Sequence, residues 1–85
     1  MRIPRRLHLP FGYVITIKQV SAKDDALLDQ DTGLYLDGSW SPETRTITIN
    51  KALPVKRRKY LALHELAHSI NDMMHELLDK GVIQP

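Results

Sequence analysis

Hydrophobic and polar positions follow two rhythms along this 85-residue chain, a period near two in its first part and a period near four in its last. Tyr13 to Val20 (YVITIKQV) is rich in β-branched residues and bounded by Gly12 and Ser21, which predicts a strand. Arg45 to Asn50 (RTITIN) alternates strictly, Ile47 and Ile49 on one face and Thr46 and Thr48 on the other, the pattern of a half-buried strand. Leu34 to Asp37 reads as a short strand pairing with it as a hairpin. Asp31-Thr32-Gly33 is a turn, and Gly38 to Thr44 a loop holding Trp40 and Pro42. Ser21 to Gln30 has the makings of a short helix capped by Ser21, and residues 1–12, with two prolines and a glycine, read as an irregular lead-in.

Pro54 then opens a helix, because proline fits the first turn. Leu63, Leu66, Ala67, Ile70, Met74 and Leu77 recur at three-to-four spacing, and Lys80 and Gly81 form a plausible end. The predicted fold is α+β: a small antiparallel or mixed sheet, strands within 13–50, packed on one long helix over 54–80. The whole 1–85 is expected to form one domain.

A domain this small buries a modest core and is marginally stable without a staple. With no cysteine, neither a disulfide nor a cysteine-type zinc site supplies one. No apolar run approaches the length of a membrane span, and the basic N-terminus (Arg2, Arg5, Arg6) leads into prolines rather than a signal-type apolar stretch. These features point to the cytoplasm, with no membrane partner. The net charge is only +2, concentrated at that terminus and in Lys56-Arg57-Arg58-Lys59, so nucleic acid is an unlikely partner.

One pentapeptide announces a chemistry. Residues 64–68 read His-Glu-Leu-Ala-His inside the predicted helix. His64 and His68 are then one turn apart and face the same way, so two imidazoles can grip one Zn2+ ion, with Glu65 beside them as general base. On a helical wheel His64, His68 and His75 cluster within about 40° at the edge of the apolar arc. A metal site wants that border between buried face and cleft.

An alternating strand, a short Leu-Pro connection and a helix carrying HELAH together resemble the zincin metallopeptidases. The stretch ITINKALPVKRRKYLALHELAHSIND is most similar to the gluzincin side, including compact ImmA/IrrE-type metallo-endopeptidases and their phage-borne relatives. The resemblance covers roughly residues 34–75, and HELAH is its one specific part. It implies that His64 and His68 are zinc ligands and Glu65 the general base. It also implies that the preceding strand is the cleft's edge, holding a peptide substrate by strand addition. Asp72, four residues after His68, matches an aspartate some gluzincins carry as a supporting residue.

The third ligand is the gap. A catalytic zinc usually has three protein ligands and an open position. The family's third is a glutamate on a later helix, and only 17 positions follow His68 here. Asp72 would lie about 6 Å beyond His68 along a straight helix and His75 about 10 Å. Asp72 is too short to close its gap, but can serve as a hydrogen-bond partner of His68. His75 is preferred over Asp72, Glu76, Asp79, His8 or a partner chain, on condition that the helix breaks near Asn71. The leading expectation is a zinc-dependent metallopeptidase acting on a peptide or protein. The alternatives are a catalytically impaired interaction module and, third, a small basic nucleic-acid-associated protein.

Overall fold

The structure is a computed structural model and describes residues 2–83; Met1, Gln84 and Pro85, the ends of the expected domain, lie outside the described residues. Four strands form one mixed sheet: β1 (Arg6–His8), β2 (Val14–Val20), β3 (Gly38–Ser41) and β4 (Thr46–Asn50). A single helix, α1 (Val55–Asp79), follows them. The sheet order is β1-β2-β4-β3, with β2 and β4 parallel and both outer pairs antiparallel. The α+β class and the one long helix agree with the sequence reading.

Position in the sheet explains what each strand buries. β4 lies between β2 and β3, and α1 packs on one of its faces and the 3-10 turn at Asp25–Leu27 on the other. Ile47 and Ile49 are fully buried on the helix side with Tyr13, Ile15 and Ile17 of the neighbouring segment, and Met73 and Leu77 of α1 close this core. On the other face Thr48 is only 2% exposed. A 3-10 turn at Asp25–Leu27 packs there on β3 and β4, with Leu27 fully buried and Ser39 Oγ donating to the Ala26 carbonyl at 3.2 Å. Both faces of β4 are covered, by α1 and by the 3-10 turn, and the alternation of RTITIN does not reveal the second cover.

Four assignments change. The lead-in is not wholly irregular: Leu7 pairs with Ile15, which makes Arg6–His8 an edge strand, and a 3-10 turn follows at Pro10–Gly12. The hairpin partner of β4 is Gly38–Ser41, the segment expected as loop, with Trp40 opposite Ile47. Leu34–Asp37, expected as strand, contributes only the isolated bridge between Tyr35 and Leu28. Gly38, Ser39 and Ser41 carry little strand propensity, so pairing with β4 overrides it. The short helix after Ser21 is the 3-10 turn alone, capped by Asp24, whose carboxylate accepts from the Ala26 amide at 2.9 Å.

The helix starts after Pro54 and runs without interruption to Asp79. It ends in a Schellman motif. The Val82 amide donates to the Leu77 carbonyl at 3.0 Å and the Gly81 amide to that of Leu78 at 3.1 Å, with Gly81 at φ +72°. The buried face is Leu61, Ser69, Met73 and Leu77, with Ala62 and Leu66 half-buried beside it. Leu63, Ile70 and Met74, expected within the packed arc, stay exposed. The apolar arc is wider than one sheet can cover.

Candidate metal centre

α1 packs against β3 and β4, and Gly38 is one point where it meets the edge strand. A Cβ built on Gly38 would stand 3.7 Å from Leu61 Cβ and 3.9 Å from Glu65 Cγ. These are ordinary contact distances, and the half-buried Glu65 stands at this meeting of helix and edge strand. The edge beside the motif is β3. The expectation that the strand directly before the helix forms it is corrected, because β4 is interior.

His64 and His68 lie on the outward flank of the same turns, both exposed, with ring centroids 5.0 Å apart at an interplanar angle of 80°. Tyr60, one turn earlier, stacks on His64 at 6.2 Å, and the Arg57 guanidinium lies 5.4 Å from the Tyr60 ring. The helix thus brings the two histidines together as the spacing requires, with Glu65 between them in sequence and turned towards the sheet edge.

The remaining candidates go elsewhere. The continuous helix lacks the break that His75 would need, which leaves it about 10 Å along the axis from His68. Asp72 accepts a hydrogen bond from Trp40 Nε1, which fastens the middle of α1 to β3. Glu76 accepts from Arg45 and from Lys80, each at 2.8 Å. Asp79 is exposed in the last turn. His8 sits on β1, at the opposite edge of the sheet from β3. Among the described residues no group of three or more His, Asp or Glu side chains stands close enough to hold a metal ion.

Sequence reasoning missed Arg45. It adopts φ +51°, uncommon for a residue with a side chain, in the turn between β3 and β4. Its guanidinium lies 4.0 Å over the Tyr13 ring and pairs with Glu76, joining that turn to the second half of α1. The hydrogen bond from Lys80, with the charges of Arg45 and Lys80, holds the Glu76 carboxyl below its usual range. Burial pushes the Tyr13 hydroxyl up, partly offset by Arg45. The basic run at 56–59 is also partly structural: Arg58 Nε donates to the Leu53 carbonyl at 2.9 Å, and its Nη1 reaches Gln19 Oε1 on β2.

A mixed sheet whose edge strand runs beside a long helix, with paired histidines on that helix, makes up an α+β domain. The family model described as the IrrE N-terminal-like domain, a peptidase family, matches residues 10–79, and the chain belongs to that family. The matched span takes in β2, β3, β4 and all of α1, and leaves β1 outside. Among curated proteins and among solved structures none matches the chain. Among the described residues no helix is long and apolar enough to cross a membrane.

Proposed function

We propose that this chain is the metal-binding core of a zinc-dependent peptidase, with His64 and His68 as ligands and Glu65 as general base. The observation that carries the reading is the juxtaposition of the two histidine rings, 5.0 Å apart, with a glutamate packed at the edge strand. Two imidazoles one helical turn apart suit a borderline-soft ion such as zinc. Bound there, zinc supplies a Lewis acid and a lowered pKa for water. The residues present meet two of the three protein ligands such a centre needs.

The chain's own contributions follow from its geometry. Glu65 carries the proton: its carboxylate accepts it from the attacking water and returns it to the leaving amine. The Glu65 side chain lies beside Gly38, which places the residue at the β3 edge. β3 has one neighbour, β4, so its other edge offers backbone groups to an extended peptide. The substrate class is accordingly a peptide or protein segment bound as an added strand, and the cellular setting proposed is the cytoplasm.

The absence of a third donor among the described residues favours a second reading, a zinc-binding module without catalysis. Metal analysis and a peptide-hydrolysis assay separate the two. One zinc per chain, lost in His64→Ala and His68→Ala, with hydrolysis abolished in Glu65→Gln while zinc is retained, supports the enzyme. Zinc uptake without hydrolysis supports the module, and no zinc at neutral pH sinks both.

A further inference from the structure

Between the flank of α1 and the β1–β2 half of the sheet runs a groove of about 330 Å³. Leu7 of β1, Ile17 of β2 and Ala62, Leu63 and Leu66 of α1 line it, and its only polar side chains are those of Arg2 and Lys59. A second groove, of about 510 Å³, adjoins the first and shares Ile3, Pro4 and Ile17 with it. Arg5, Arg6 and Lys18 line this one. The two grooves take five of the chain's twelve cationic residues and none of its ten acidic ones. None of the five makes an ion pair or a side-chain hydrogen bond among the described residues; the cations that do are Arg45, Arg57, Arg58 and Lys80. A net charge of only +2 therefore hides a local excess that folding gathers from residues 2–6, 18 and 59.

β2 leaves backbone groups open at the same place. Its Ile17 amide donates to the Arg5 carbonyl at 2.8 Å on the β1 side, and its Thr16 amide to the Arg45 carbonyl at 2.9 Å on the β4 side. Alternation along the strand turns the Gln19 N–H and C=O to the β1 side, as those of Ile17 are. The β1 register with β2 stops at Thr16, so no strand meets Gln19 there, and Gln19 lines the second groove.

An occupant that suits the whole surface brings carboxylates, an apolar group and a backbone. At about 30 Å³ per non-hydrogen atom the first groove holds roughly ten atoms, one or two large apolar side chains. A nucleic-acid strand would leave that groove and the Gln19 backbone unused, and no aromatic ring lines either groove to stack a base. We infer that these grooves bind an acidic segment of a partner protein in extended form. Its backbone pairs with Gln19, its carboxylates meet Arg2, Arg5, Arg6, Lys18 and Lys59, and an apolar side chain enters between β1 and α1. β1 and β3 are opposite edges of the sheet, so the surface lies across α1 from Glu65 and does not rest on the zinc reading.

Fluorescence anisotropy of the whole chain in chelator, with a short labelled peptide of alternating glutamate and leucine, tests it. This probe should bind at least about tenfold more tightly than peptides with lysine for glutamate or serine for leucine. Lys59→Glu and Arg5→Glu should each weaken it at least about fivefold. Lys23→Glu, the same charge change at an exposed position outside both grooves, should leave it within about twofold. Leu63→Ser should weaken it with an unchanged far-ultraviolet circular dichroism spectrum, since Leu63 is 67% exposed. Equal binding of the glutamate and lysine peptides, or equal losses in Lys23→Glu and Lys59→Glu, overturns the site. Equal binding of the leucine and serine peptides overturns the role of the apolar groove. An oligonucleotide or phosphatidylglycerol vesicles that bind more tightly than the probe, and no longer bind Lys59→Glu, overturn the peptide as occupant. So does a dimer in sedimentation equilibrium that Lys59→Glu dissolves.

Discussion

Trp40 Nε1 donates to Asp72 Oδ2, a bond between the edge strand β3 and the middle of α1 across 32 positions of sequence. It ties the helix that carries the histidine pair to that strand. It also gives Asp72 a partner other than the imidazole of His68, so the carboxylate works as a structural tie.

Trp40→Phe keeps most of the ring and removes the donor. The expected cost is about 1–2 kcal/mol in urea unfolding, since the bond runs to a carboxylate but is only partly buried. Asp72→Ala should cost a similar amount, and the double variant should cost less than the sum of the two. Zinc affinity should change less than threefold in Asp72→Ala; a tenfold loss would return Asp72 to the metal centre.

Gly38 faces Leu61 and Glu65 where β3 meets α1. Gly38→Ala should fold normally, because the added Cβ meets its neighbours at 3.5 Å or more, ordinary contact distance. Gly38→Val adds branches that must displace Leu61 or Glu65, at about 1–3 kcal/mol. If Glu65 is the general base, hydrolysis should fall more steeply than zinc affinity in Gly38→Val.

The clamp on Glu76 has a pH signature. Its pKa is lowered in the fold, chiefly by the Lys80 hydrogen bond, from an ordinary value of 4.5. The unfolded chain therefore takes up this proton first as pH falls. The stabilisation is present above about pH 4.5 and is lost as pH drops below that towards the folded pKa. Glu76→Gln should be less stable than the parent at neutral pH and show a shallower loss of stability below pH 4.5, measured as chemical denaturation midpoints across that range.

Two leucines on one helix should behave differently. Leu77 is buried in the core and Leu63 is 67% exposed. Leu77→Ala should cost about 2–5 kcal/mol, enough to unfold a domain this small, whereas Leu63→Ala should cost well under 1 kcal/mol in dilute, metal-free solution. Equal effects would mean that α1 turns another face to the sheet.

The parts of the fold legible in the chain were those where a local signal agreed with the tertiary result. YVITIKQV and RTITIN form strands because β-branched residues suit an extended backbone, and the run after Pro54 forms a helix because its apolar period is helical. HELAH places two histidines on one flank through helix geometry alone. β3 was not legible, since Gly38-Ser39-Trp40-Ser41 has little intrinsic preference for a strand and is one because β4 pairs with it. Leu34–Asp37 looked the better strand and forms a single bridge.

The sequence by itself determined the helix, two of the strands and the pairing of His64 with His68, because each depends on residues a few positions apart. Tertiary structure decided which strand borders the motif, which half of the apolar arc is buried, and that Trp40 and Arg45 take up Asp72 and Glu76. Those outcomes turn on contacts between residues some thirty positions apart, which periodicity does not encode. The HELAH turn was written in the chain; the edge strand that borders it came from the fold.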